Sequence, residues 1–175
     1  FFIAPMMAQL SVDYLSPTSF GRRPSTWLKL ISENRGTLSY SPSFGYEICA
    51  RRFRGGDLDL SSWRVAGIGG DMVRENALDA FAEAFGPLGF SRRAFVSSYG
   101  LAEATLAVSF APLDAEPRTD LVDAARMQTE GRAVPASDMT RKGGQRTFVS
   151  CGRVLPGHEA KICDAAGVAL NGRAV

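Results

Sequence analysis

A single histidine, His158, stands in 175 residues. With so little imidazole the chain has no material for a His-rich metal centre and little for a Ser-His-Asp triad. Cysteine is scarce too: Cys49, Cys151 and Cys163 are an odd set without metal-ligand spacing, which fits a reducing, cytoplasmic compartment. Lysine and arginine form no block; the densest spot is Arg51-Arg52-Phe53-Arg54, and the formal net charge is only +2. That argues against a nucleic-acid partner and predicts a cationic helix end, opposing the negative carbonyl terminus. No apolar run reaches the length of a membrane span, so no stable membrane insertion is expected. Residues 1–8 are apolar but contain Pro5 and no basic leader, and read as a buried element rather than a targeting segment. There is no internal repeat and no low-complexity tract. What remains is ordinary globular material, 45% hydrophobic and 22% charged, long enough for one domain with a real core.

The periodicities order this material. Residues 11–15 read as a strand. Residues 24–35 read as a helix, with Trp27, Leu28 and Ile31 on one face, Pro24 in the first turn and Gly36 at the stop. A β-rich run at 37–41 is closed by Pro42, and a helix is expected over 44–53, ending at Gly55-Gly56. A buried strand at 64–68 precedes the clearest helix, 74–85. There Ala77, Leu78, Phe81, Ala82 and Phe85 form one stripe, with Asp71 as a candidate N-cap and Gly86 beyond the end. Strands follow at 94–96 and 105–110. This alternation predicts an α/β fold of parallel βαβ units. After Pro112 the texture turns polar through 114–146, with one weak helical patch at 121–128. Strands are then expected at 147–150 and 159–163 around a turn that ends near His158.

Chemistry concentrates at Ser97-Ser98-Tyr99-Gly100-Leu101-Ala102-Glu103, where a strand ends in a small-residue turn. Tyr99 offers a flat ring for a base, Gly100 lets a backbone come close, and Glu103 is a hard oxygen ligand suited to Mg²⁺. Together they suit a magnesium-nucleotide. Taken alone, a Tyr-Gly-x-x-Glu string is more often a strand-to-strand turn with a solvated Glu. Upstream stand Gly67-Ile68-Gly69-Gly70-Asp71-Met72-Val73-Arg74 and Ser41-Pro42-Ser43-Phe44-Gly45-Tyr46-Glu47.

In this order the motifs resemble the adenylate-forming superfamily. With Ser11-Val12-Asp13-Tyr14-Leu15 they look more narrowly like the fatty acyl-AMP ligases, over nearly the whole chain. The resemblance implies the α/β N-terminal domain of those enzymes with a β-rich C-terminal part. Residues 1–113 would belong to the AMP-binding subdomain, 114–146 to the insertion that distinguishes fatty acyl-AMP ligases from acyl-CoA synthetases, and 147–175 to the start of a following β-rich subdomain. It also implies an internal fragment, since the family's phosphate loop and catalytic Lys have no match here. The chain alone is therefore expected to be inactive.

By the same resemblance, ATP and Mg²⁺ are the cofactors and Glu103 is the catalytic, Mg²⁺-ligating carboxylate. Tyr99 would stack on adenine, within a nucleotide-binding set of Gly69, Gly70, Asp71, Ser98, Tyr99, Gly100, Leu101 and Ala102. Ala102 replaces a Thr common among relatives, and Asp71-Met72 replaces the commoner Glu-Pro; Asp71 is thus an adenine acceptor, a helix cap, or both. Phe44, Gly45 and Tyr46 are candidates for the acyl pocket, with ordinary core packing as the equal alternative. Tyr40 and Met72 share that ambiguity. The implied partners are a fatty acid and the phosphopantetheine arm of an acyl carrier protein, from a polyketide or peptide synthase. The alternatives are a long-chain acyl-CoA synthetase and a non-catalytic nucleotide- or carrier-binding module of the same fold.

Overall fold

The computed structural model describes residues 3–137, 143–170 and 172–174. Three short parallel strands run side by side: β1 (Leu38–Ser41), β2 (Val65–Ile68) and β3 (Phe95–Gly100). Two antiparallel strands extend the sheet beyond β3. These are β4 (Ala107–Phe110) and, further along the chain, a two-residue strand at Arg153–Val154. The parallel half is the βαβ arrangement that the alternation predicts, with the crossover helices α4 (Ser43–Arg52) and α5 (Glu75–Phe85) packed on each other. Before them come α1 (Ile3–Met7), α2 (Pro17–Arg22) and α3 (Ser25–Glu33).

An aromatic cluster fills the space between helices and sheet. Tyr46 of α4 is wholly buried, with ring centroids 5.2 Å from Trp27, 5.0 Å from Phe81 and 5.4 Å from Phe95, and it stacks at 6.1 Å on Trp63. Each polar handle in this cluster finds a partner. The Tyr46 hydroxyl donates to the Gly67 carbonyl at 2.9 Å, Trp63 Nε1 to the Val65 carbonyl at 2.9 Å, and Trp27 Nε1 to Ser39 Oγ at 2.8 Å. Burial pushes the Tyr46 hydroxyl well above the usual tyrosine range, so it stays a donor.

Gly36 and Gly86 follow the ends of their helices as expected, but neither is the left-handed residue. At the end of α3 the left-handed residue is Arg35 (φ 50°), not Gly36. Gly36 N–H then reaches back to the Ile31 carbonyl at 2.8 Å, the Schellman closure. Gly86 continues right-handed into a short 3₁₀ turn, and the left-handed position is Gly89 (φ 88°). Asp71 does not cap α5, which starts after Arg74; its carboxylate accepts from the Met72 N–H at 2.7 Å. The basic end of α4 forms as expected: Arg51 and Arg52 lie in its last turn, and Arg54 Nη1 donates to the Arg51 carbonyl at 3.1 Å.

Three expected elements do not form. Residues 11–14 are exposed, Leu15 packs partly buried against the core, and the segment pairs with no described strand; Asp13 instead accepts from Asn34 Nδ2 at 3.1 Å. Helix α1 has no buried residue, contrary to the buried element expected over 1–8; Phe1 and Phe2 lie outside the described residues. Residues 159–163 make no strand; an isolated bridge joins Cys163 to Ala169 around a turn capped by the Asp164 carboxylate. An extended segment becomes a strand only when a neighbour takes up its backbone groups in succession, and here a single bridge, with Leu170 N–H on the Ile162 carbonyl at 2.7 Å, does not extend into a ladder. Conversely, Leu121 and Val122 belong to a strand, not a helix. Strand β5 (Thr119–Asp123) pairs antiparallel with β6 (Gln145–Val149), and the two-residue strand introduced above is β7. Helix α6 (Ala124–Glu130) begins only after Asp123, whose carboxylate caps Arg126 N–H at 3.0 Å. Val122 is wholly buried, and Val149 and Cys151 pack on the main core. Residues 138–142 of the polar segment lie outside the described residues.

The Tyr46 arrangement yields a measurable expectation. Tyr46→Phe removes one hydrogen bond and should cost about 1 kcal/mol, whereas Tyr46→Ala should cost about 3–5 kcal/mol by opening a cavity between four rings. Urea midpoints read both, and an unchanged midpoint for Tyr46→Ala would remove it from the core.

Candidate functional site

Because β1, β2 and β3 are parallel, their carboxyl ends lie along one edge of the sheet, where open α/β sheets bind ligands. Each strand delivers one motif there. After β1 comes Phe44, in the first turn of α4 and 48% exposed. After β2 comes Gly69-Gly70-Asp71, with Gly70 left-handed (φ 76°) and Asp71 exposed. At the end of β3 come Ser98, Tyr99 and Gly100, then Leu101 and a 3₁₀ turn, Ala102–Ala104, that carries Glu103. Tyr99 is 56% exposed and Glu103 is exposed, so ring and carboxylate are both free to meet a ligand.

The β2 and β3 motifs are in direct contact. Ser98 Oγ donates to the Ile68 carbonyl at 3.2 Å, and a Cβ on Gly69 would stand 2.8 Å from the Ser98 carbonyl oxygen. Only glycine permits that approach. Ser43 then fixes the far end of the loop. Its buried hydroxyl donates to the Met72 carbonyl at 2.9 Å and accepts from Arg74 N–H at 3.2 Å, while Arg74 pairs with Glu47 at 2.8 Å. Residues 69–74 are therefore clamped between β3 and the start of α4. From the β5–β6 hairpin, Arg146 reaches the same loop: its Nη2 lies 3.7 Å from Met72 Sδ, and its guanidinium sits 4.8 Å above the Phe148 ring.

The acyl-pocket candidates separate. Phe44 stands half exposed at the edge; Gly45 is buried, with the Ser41 hydroxyl filling the space where a Cβ would go; Tyr46 is spent on the core. The half-buried Tyr40 ring lies across Gly67, beneath the Gly69 turn, and burial raises its hydroxyl pKa. Ser43 and Arg146 were not among the candidates read from the sequence. Ser43 lay inside a quoted motif, but nothing in a sequence tells which backbone a serine will bond.

Among the described residues no three His, Cys, Asp or Glu side chains converge on a metal position, and Glu103 stands as a single exposed carboxylate. That donor set fits Mg²⁺ brought in on phosphates, because Mg²⁺ keeps most of its water and takes one or two carboxylates from a protein. No helix among the described residues is long and apolar enough to cross a membrane.

Comparison with known proteins agrees with this fold. The family model for AMP-binding enzymes matches residues 1–173. A Caulobacter vibrioides protein named "Putative acyl-CoA synthetase" is 46% identical over 178 residues, covering 100% of this chain and 31% of that protein. The medium-chain-fatty-acid–[acyl-carrier-protein] ligase JamA of Moorena producens is 39% identical over 163 residues, covering 91% of this chain and 27% of JamA. Among solved structures, one from a study of fatty acyl-adenylate ligases of E. coli and L. pneumophila superposes with TM-score 0.94 at 44% identity, covering 98% of this chain and 32% of that one. The L. pneumophila fatty acyl-adenylate ligase in complex with acyl adenylate and pyrophosphate gives TM-score 0.85 at 35% identity, covering 93% and 28%. The chain belongs to the AMP-binding enzyme family, and it spans between 27% and 31% of the length of those two curated relatives.

Proposed function

We propose that this chain forms one wall of the nucleotide site in an enzyme that activates a fatty acid as its acyl-adenylate and passes the acyl group to a carrier-protein thiol. The observation that carries the reading is the shared edge: the Gly69-Gly70-Asp71 turn and the Tyr99–Glu103 segment lie side by side at adjacent parallel strand ends. In the reaction a carboxylate oxygen attacks the α-phosphorus of ATP, the new P–O bond forms, and pyrophosphate leaves with the electrons of the broken bond. The protein must align two anions and offset the charge that gathers at phosphorus.

On this reading Tyr99 stacks on the adenine. The backbone of Gly69 and Gly70 lies along the other side of the base, and the Asp71 carboxylate accepts from its exocyclic amine. Ser98, Gly100, Leu101 and Ala102 shape the turn around the nucleotide. Glu103 holds Mg²⁺, which when bound offsets phosphate charge. Phe44, beside Gly45, contacts the fatty chain. Tyr46, the third acyl-pocket candidate, serves that wall from the core by holding α4 in place. The compartment is proposed to be the cytoplasm, where free thiols such as exposed Cys163 persist. The carrier is proposed to belong to a polyketide or peptide synthase. A carrier thiol as acceptor is supported by the JamA similarity, and the name of the Caulobacter relative favours a second reading in which CoA is the acceptor. Fatty-acid-dependent pyrophosphate exchange by a full-length enzyme containing this chain tests activation, and offering CoA or a carrier protein separates the two acceptors.

Two substitutions in that enzyme probe the wall. Glu103→Gln keeps the shape but removes a charge partner for Mg²⁺, so the adenylation rate should fall while binding of metal-free ATP is preserved. Equal rates would make Glu103 a bystander. Tyr99→Ala should weaken ATP binding by about 1–3 kcal/mol, the scale of base–aromatic stacking. An ATP affinity equal to wild type would take Tyr99 out of the site.

Residues 114–146 are proposed to be a docked insertion that disfavours the CoA-using step. Support comes from buried Val122, from the packing of α5 against β6, and from Arg146 at the Met72 loop. Deleting the segment should leave acyl-AMP formation largely intact and raise acyl-CoA formation. Normal adenylation with no acyl-CoA would shift the discrimination to another part of the enzyme.

A further inference from the structure

Thr105 has φ 69° and ψ −53°. Its Cβ is branched, and this region is one that branched residues avoid. The conformation is a γ-turn of the uncommon, strained hand, closed by Leu106 N–H on the Ala104 carbonyl at 2.8 Å. Immediately before it, Ala104 N–H donates to the Leu101 carbonyl at 3.1 Å and Thr105 N–H to the Ala102 carbonyl at 3.0 Å. Three consecutive local bonds thus wind residues 101–106 into a tight loop with Glu103 on its outside.

A second, independent feature lies at the base of that loop. Gly100 pairs with Ala107 just where the β3–β4 register shifts, and the Leu106 carbonyl oxygen occupies the space that a Cβ on Gly100 would need. The strained turn at Thr105 leads directly into Leu106, and the missing Cβ at Gly100 accommodates the Leu106 carbonyl oxygen. Together they pinch the ends of the loop against each other.

We infer that Thr105 is a positioning residue whose strained backbone conformation mounts the Glu103 carboxylate at the edge of the nucleotide site. The inference rests on the ligase reading for what Glu103 does. Strain of this kind persists only where the surroundings over-determine it, and such residues gather at functional sites. A threonine here leaves the loop few conformations besides the observed one. A glycine would relieve the strain and also free the loop, so stability and activity should move in opposite directions.

The test is Thr105→Gly in the full-length enzyme, with Thr105→Ser as the conservative partner. Thr105→Gly should raise Tm and lower the adenylation rate constant by roughly ten- to hundredfold, the scale of a small misplacement of a reacting group. KM for ATP should stay at the wild-type value while half-saturating Mg²⁺ rises. Thr105→Ser should keep the wild-type rate. A wild-type rate in Thr105→Gly, or a rate loss accompanied by a lower Tm, overturns the inference. Hydrogen exchange at the Leu106 amide decides the loop without reference to activity: protection in wild type and rapid exchange in Thr105→Gly support the mount, and equal protection sinks it. A wild-type enzyme without fatty-acid-dependent pyrophosphate exchange would overturn the ligase reading instead, while the exchange and Tm measurements still judge the loop.

Discussion

The hydrogen bond from the Tyr46 hydroxyl to the Gly67 carbonyl joins helix α4 to strand β2 at the one place where the site depends on their alignment. Two residues before Tyr46 lies Phe44; two residues after Gly67 lies Gly69. Ser43, one helical turn back on α4, then holds the end of the Gly69 loop through its hydroxyl. Any slip of α4 along the sheet would therefore move the loop and the exposed phenylalanine together. The rings around Tyr46 resist that slip, with contacts to α3, α5 and β3 that are each worth about 0.5–1.5 kcal/mol beyond burial.

Much of this was legible in the sequence because it rests on periodicity. The stripe through Ala77, Leu78, Phe81 and Phe85 marks α5, all four residues are buried, and the parallel alternation follows from the spacing of such runs. The site motifs were legible for another reason: strand ends, glycines and a carboxylate occur in a fixed order, and a parallel sheet turns that order into adjacency. Where the reading failed, the missing information was tertiary. Residues 11–15 and 159–163 have strand composition, but among the described residues the first finds no strand partner and the second only an isolated bridge. Leu121 and Val122 look helical until β6 pairs with them, and pairing overrides the weak local preference.

The backbone exceptions were the least legible. Gly36 and Gly86 stand where a helix stop was expected, yet the left-handed positions fell on Arg35 and Gly89. Thr105 carries no sign of a positive φ at all. Glycine announces a permitted conformation, whereas a strained threonine records one imposed by its surroundings. That is why the Glu103 loop reads from sequence as an ordinary turn and from structure as a constrained one.

Burial along the edge bears on how the wall works. Tyr99 is 56% exposed, Met72 54% and Phe44 48%, so three large apolar side chains stand open at one edge in front of a buried aromatic core. An acyl-adenylate is a mixed anhydride, and water at its carbonyl would destroy it. On the ligase reading this surface cannot protect such an intermediate unaided, because a stacked base leaves Glu103 facing solvent. The wall supplies order, through Ser43, Tyr46 and the pinched loop, and the exclusion of water has to come from chain packed over Phe44, Met72 and Tyr99. Preorganisation and sequestration are thus separate tasks. The first is built into the sheet edge itself; on the ligase reading the second falls to whatever packs over that edge.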